Sequence, residues 1–200
     1  DWNTPLDPDH TEQIEQVGSK LSEEGIALPD IIYVSPYKRT METLDWLEYG
    51  WSQLFDLTPR PTVIKDERLR EKEHGIKLLY PCWKIFESLH PEQAMLRRLE
   101  GLYWYRAPQG ENVPDVRLRA GAWVTTIIRE FSGKHVLMVG HHLLILAVRA
   151  QLERWTAEDF MLVDEREKPQ NASVTRYVGN PDEGSDGKFE LEYYNKIFWK

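Results

Sequence analysis

The 200-residue sequence predicts a three-layer α/β/α sandwich on a mostly parallel central sheet. Three observations carry this. Short apolar, β-branched runs recur at residues 30–35 ("DIIYVS"), 61–67 ("PTVIKDE") and 135–141 ("HVLMVGH"). Longer stretches with helical spacing separate them, as crossover connections between parallel strands require. The composition is that of an ordinary folded chain, 41% hydrophobic and 29% charged, with no repeat or low-complexity tract.

In chain order, "LDPDHTEQIEQVGSKLSEEGI" reads as a helix over 11–24, with Ile14, Val17 and Leu21 on one face and Gly25 as its stop. The strand at 30–35 follows. Pro36 opens a helix that carries Met41, Leu44 and Leu47. A second strand covers 61–66, and residues 82–104 form one or two helices broken at His90-Pro91. "PDVRLRAGAWVTTIIREF" places Val116, Ala120, Trp123, Val124, Ile127 and Phe131 at helical spacing. After the strand at 135–140, Leu143–Leu152 is apolar and long enough for a helix, and Thr156 with Asp159 forms a capping box for another. "SVTRYVG" and "FELEYYN" are strands joined by the acidic "NPDEGSDGK" loop. All five strands, near 31–35, 61–66, 135–140, 173–178 and 189–194, are expected in one sheet. The chain is expected to be a single domain over 1–200, with a lid insertion at about 76–113.

The net charge of −8 argues against a general nucleic-acid surface but leaves room for a local basic pocket. A lone cysteine, Cys82, excludes an intrachain disulfide and makes a reducing, cytoplasmic setting the default. No apolar run is long enough to span a bilayer, so no membrane association is expected. The sequon at Asn171 reads as a plain loop or cap.

Ligands of open α/β sheets bind beyond the carboxyl ends of the strands. That rule selects Ser35 onward, Asp66–Gly75 and Gly140–His142. In "SPYKRT", Arg39 lies one turn into a helix and can clamp a phosphate bidentately, or be a solvated surface arginine. In "ERLREKEHG", Glu71 sits among Arg68, Arg70 and Lys72, as a proton donor to a leaving alkoxide or as part of a charged turn. In "VLMVGHHLLILAV", His141 and His142 fall at a strand-to-helix junction, where unpaired amides can hold an anion. His141 there is either a phosphate ligand or a hydrogen-bonded structural histidine. A metal site is disfavoured, because the sequence has no HxH or HExxH pattern. Arg106 and the Gly110-Glu111-Asn112 turn precede a helix and suit an anion lid or a plain helix start.

Taken in order, "SPYKRTMETL", "LREKEHG", "GENVPDVRLRA" and "VLMVGHH" resemble the histidine phosphatase superfamily, which includes the phosphoglycerate mutases. The resemblance implies that Arg39 clamps phosphate, Glu71 donates a proton and His141 contacts the phosphoryl group. It places His74, Arg106 and His142 on the substrate side, with His142 where glycine is usual and Asn112 where serine is usual. Arg39, Glu71 and His141 are then expected to converge. It implies a phosphomonoesterase that works through a phosphohistidine on a small phosphorylated substrate, with no metal or organic cofactor. A homodimer is compatible with it. Phosphoglycerate mutation, or an inactive scaffold that binds phosphoesters or a protein, are the alternatives. The family's Arg-His-Gly nucleophile motif is absent from these residues. It is expected upstream of Asp1, on a strand lying between those at 31–35 and 136–140. The 200 residues alone are expected to be inactive.

Overall fold

The computed structural model describes residues 2–57, 59–184 and 187–199. Its helices and strands are α1 (Thr11–Glu23), β1 (Ile31–Val34), α2 (Lys38–Gly50), α3 (Gln53–Asp56), β2 (Thr62–Lys65), α4 (Trp83–Leu89), α5 (Pro91–Trp104), α6 (Val113–Glu130), β3 (Val136–Val139), α7 (His142–Leu152), α8 (Ala157–Arg166), β4 (Val174–Asn180) and β5 (Lys188–Lys196). They form two compact units. One comprises residues 1–67, 126–140 and 168–200, and the other 68–125 and 141–167.

In the first unit a parallel sheet runs in the order β2-β1-β3, with Ile31 opposite both Thr62 and Val136. Side chains alternate across β1. Ile32 and Val34 pack with Val139 against Leu44 and Met41 of α2. Tyr33 points the other way, its ring 6.1 Å from that of Phe131. Ile14, Val17 and Leu21 of α1 pack against Leu47, Trp51, Leu54 and Phe198. The α1–α2 crossing is close because both helices offer glycine: a Cβ on Gly18 would lie 2.7 Å from the Trp51 amide, and one on Gly50 would strike the backbone of Glu15.

Three expectations are corrected here. The five strands do not share a sheet: β4 and β5 pair antiparallel with each other in a separate sheet of two. Strands joined by a short turn pair locally. Val174 and Tyr193 pack against the α1–α2 cluster rather than extending the parallel sheet. Residues 185 and 186 of the connecting loop lie outside the described residues. Second, among the described residues the strands at 31–35 and 136–140 are direct neighbours in the sheet. They pair directly, flanked by the Asp30 amide donating to His135 O (2.8 Å) and the Ser35 amide to Val139 O (3.0 Å). Backbone groups that an intervening strand would take are thus satisfied by each other. Third, α2 begins at Lys38, two residues after Pro36, and its N-cap is Tyr37.

The second unit is helical. The helices over 82–104 divide at His90-Pro91, as the sequence predicts, and Gly101 kinks α5 with φ 77°. Tyr80, Trp83, Phe86 and His90 form an aromatic group, with Arg97 stacked 4.5 Å over Trp83. α7 buries Leu144, Leu146, Ala147, Val148 and Ala150. α8 starts at the expected Thr156–Asp159 capping box and is anchored by Phe160, whose ring lies 5.7 Å from Tyr103. Among the described residues no helix is long and apolar enough to cross a membrane.

Candidate active site

Glu71 is positioned by the single helical turn before it, Glu67–Leu69, whose Leu69 is fully buried. One carboxylate oxygen, Oε1, accepts the amide of Lys72 at 2.7 Å, and Oε2 accepts the amide of Leu143 at 3.4 Å. Burial pushes this carboxyl above its ordinary range. The Lys72 and Leu143 amides and the charges of His142 and Arg119 pull the other way without cancelling the effect. A carboxyl that keeps its proton to higher pH is suited to donate it to a leaving oxygen.

His141 is the N-cap of α7. It is buried and extended (φ −126°, ψ 166°), and its carbonyl accepts the Ile145 amide at 2.8 Å. His142 opens the helix. Its Nε2 lies 2.7 Å from Asp164 Oδ1 of α8, an ion-pair distance at an angle that misses hydrogen-bond alignment. The first turn of α7 therefore carries two histidines and one amide directed at Glu71.

Arg119 and Glu111 form a brace that the sequence reading missed. Arg119 Nε and Nη2 donate to the two oxygens of Glu111 at 2.9 and 3.1 Å, and Nη1 donates to Arg68 O at 2.7 Å. Glu111 Oε2 also accepts the Glu73 amide at 2.9 Å, and the Glu111 amide donates to Glu73 O at 2.8 Å. Burial pushes the Glu111 carboxyl up. The Arg119 hydrogen bond, the Glu73 amide and the charges of Arg119 and Arg70 more than reverse this and hold it below its ordinary range. The segment carrying Glu71 is thereby tied to the start of α6. The available signals were a glycine at each side of the crossing, Gly75 and Gly110, and an Arg eight residues beyond a Glu.

The other candidates take quieter places. His74 precedes the 3₁₀ turn Gly75–Leu79, with its ring 6.3 Å from Trp83. Burial, with Lys72 and Lys77, lowers its pKa and favours the neutral ring. Arg106 is exposed and pairs with Asp115 at 2.6 Å. Asn112 caps α6: its Oδ1 accepts the Asp115 amide, and its own amide donates to Asp115 Oδ2. Arg39 belongs to the first unit, at the second position of α2, with its guanidinium carbon 4.8 Å from the Tyr37 ring centre. Thr40 ties that helix start to the strand end, its hydroxyl bonding Ser35 O (3.0 Å) and Tyr37 O (2.7 Å). Glu71, His74, Arg106, His141 and His142 all lie in the second unit. Among the described residues no group of three or more His, Cys, Asp and Glu is placed to hold a metal ion.

Residues 2–195 match the family model described as the histidine phosphatase superfamily (branch 1). The chain belongs to this superfamily. A curated relative of this histidine phosphatase family member is phosphoglycerate mutase-like protein AT74H of Arabidopsis thaliana, 24% identical over 80% of this chain and 60% of its own length. The chain thus spans about 60% of the curated relative it matches. Solved structures show the same fold. YhfR of Bacillus stearothermophilus is 21% identical with a TM-score of 0.75, covering 98% of this chain and 86% of its own. Alpha-ribazole phosphatase of Shigella flexneri is 14% identical at a TM-score of 0.75, over 98% and 87%. A mycobacterial glucosyl-3-phosphoglycerate phosphatase, solved with inorganic phosphate, is 21% identical at 0.74, over 99% and 90%.

Proposed function

We propose that this protein is a phosphomonoesterase that acts on a small phosphorylated substrate through a phosphohistidine. The observation that carries the reading is Glu71: a partly buried carboxyl with a raised pKa, held to the first turn of the helix that His141 and His142 open. Two fold relatives bear phosphatase names, which supports hydrolysis over mutation.

In this mechanism a neutral histidine nitrogen attacks phosphorus and the ester P–O bond breaks. Glu71 gives its proton to the departing oxygen, releasing the alcohol. Water, deprotonated by the Glu71 carboxylate, then attacks the phosphohistidine. Inorganic phosphate leaves and the acceptor histidine is regenerated. His141 stabilises the phosphoryl oxygens. No Arg-His-Gly motif occurs in the 200 residues, so the reading assigns the acceptor to sequence outside them.

The test is rapid quenching of the natural full-length protein with a labelled aryl phosphate in EDTA, followed by peptide mapping. An acid-labile, base-stable phosphohistidine outside residues 1–200 is expected. Label on His141 or His142 would overturn the assignment of the acceptor. Turnover without any phosphohistidine would overturn the mechanism.

A further inference from the structure

We propose that His142, paired with Asp164, is a positioning residue for the carboxyl of Glu71. The inference rests on the reading of Glu71 as proton donor and adds the group that governs it.

The geometry lies within the second unit. Glu71 is fastened to α7 through the Leu143 amide, and His142 is the neighbouring residue at the start of that helix. A positively charged ring at a helix N-terminus is disfavoured by the helix dipole. Here Asp164, projecting from α8, supplies the opposing charge at 2.7 Å. Both side chains are partly exposed, at 33% and 21%, so the pair can exchange protons with solvent. His142 thus occupies a place where a cation is held by one carboxylate and felt by another.

Glu71 faces His142 from α7, Arg119 from α6 and the amide of Lys72 from its own segment. Lys72 faces Glu111, Glu71, Arg97 and Asp164. Arg119 is bonded bidentately to Glu111, so its charge is largely matched. The cationic side chains that act on Glu71 are Arg119, Lys72 and, when its ring carries a proton, His142. When protonated it favours the ionised form of Glu71. When neutral it leaves the carboxyl to the effect of burial, which favours the protonated form.

The experiment compares the natural full-length protein with His142→Gln, Asp164→Asn and the double variant. The first readout is the ratio of turnover on alkyl phosphates, which need a proton donor, to turnover on aryl phosphates, which scarcely do. Removing the cation lets Glu71 keep its proton to higher pH. The ratio is therefore expected to rise about threefold over the pH range in which the ring is charged, a modest charge coupling, and to converge on that of the natural protein at the alkaline end. Asp164→Asn should move the ratio the same way by weakening the charged ring, and the double variant should go no further than His142→Gln. The second readout is the ¹³C carboxyl titration of Glu71 by NMR, which does not depend on turnover. It should shift to higher pH in both single variants.

An unmoved Glu71 titration in His142→Gln would overturn the proposal. A shift in His142→Gln without one in Asp164→Asn would overturn the pairing. Glu71→Gln is the control for the underlying reading. If it leaves the alkyl-to-aryl ratio unchanged, Glu71 is not the proton donor, and the titration alone then decides whether His142 governs its carboxyl.

Discussion

The amide of Leu143 donates to the carboxylate of Glu71 at 3.4 Å, across 72 positions of sequence. The sequence reading expects the start of α7 to hold an anion. The group that the Leu143 amide meets in this structure is the carboxyl of the protein's own general-acid candidate. Replacing Glu71 with Gln keeps an acceptor for the amide but removes the transferable proton. Turnover of alkyl phosphates is expected to fall by about two orders of magnitude or more, the usual size of a lost general acid. Aryl phosphates should lose far less. Parallel kcat measurements on the two ester classes decide it, and equal losses would argue against proton donation.

The same carboxyl should mark the pH dependence of stability. Its folded pKa is raised, chiefly by burial. The stability it contributes is therefore fully present below its unfolded value and is lost as pH rises through the folded value. Glu71→Gln does not titrate. The variant should thus gain on the natural protein as pH rises above the ordinary glutamate range, read as the difference in urea midpoints. A difference that stays constant over that range would refute the raised pKa.

Much of the fold was legible because it is local. The short apolar run at 31–34 and the apolar stripe of Ile14, Val17 and Leu21 fix their elements without reference to partners. Strand partnership was not legible. That β1 pairs with β3, and that β4 turns back on β5 instead of joining the sheet, depends on which edges are free once the chain is packed. The site divides the same way. Glu71, His141 and His142 stand out by residue type and place. Arg119, Glu111 and Asp164 act only through neighbours distant in sequence, so nothing local distinguishes them from surface charges.

Gly75 is a sharper test of the segment that carries Glu71. Its φ of +57° is unfavourable for an L side chain, and an added Cβ would strike Pro108 O and lie 2.6 Å from the Gly110 amide. Neither neighbour can retreat easily, because the Ile76 amide donates to that same Pro108 carbonyl at 3.0 Å. Gly75→Ala is expected to cost about 2–3 kcal/mol and to lower Tm by several degrees. It should also lower kcat, since Glu71 lies four residues away on the same strap. Substitution at Gly133, whose Cβ would meet nothing within 4 Å, provides the comparison. If both variants cost the same, backbone conformation alone is responsible and the crossing contributes nothing.

Arg119 offers the largest predicted loss of stability. Its side chain and that of Glu111 are only 12% and 18% exposed, so the pair is closer to a buried bridge than to a surface one. Arg119→Met removes three hydrogen bonds and leaves Glu111 as a carboxylate without its cation. A cost of about 3 kcal/mol at neutral pH is expected, the lower end for breaking a buried pair. The pH dependence follows from the Glu111 carboxyl. Burial raises its pKa, but Arg119 and the Glu73 amide more than offset this and hold it low. Its contribution is therefore present above the unfolded value of an ordinary glutamate and lost as pH falls through the lower, folded value. In the acid range below about pH 4 the natural protein loses this stabilisation, whereas Arg119→Met has already lost most of it. The gap between the two should narrow there, measured as denaturant midpoints at pH 7 and pH 3. A gap that is as wide at pH 3 as at pH 7 would mean that Arg119 acts through the Arg68 carbonyl alone and that the ion pair with Glu111 contributes nothing.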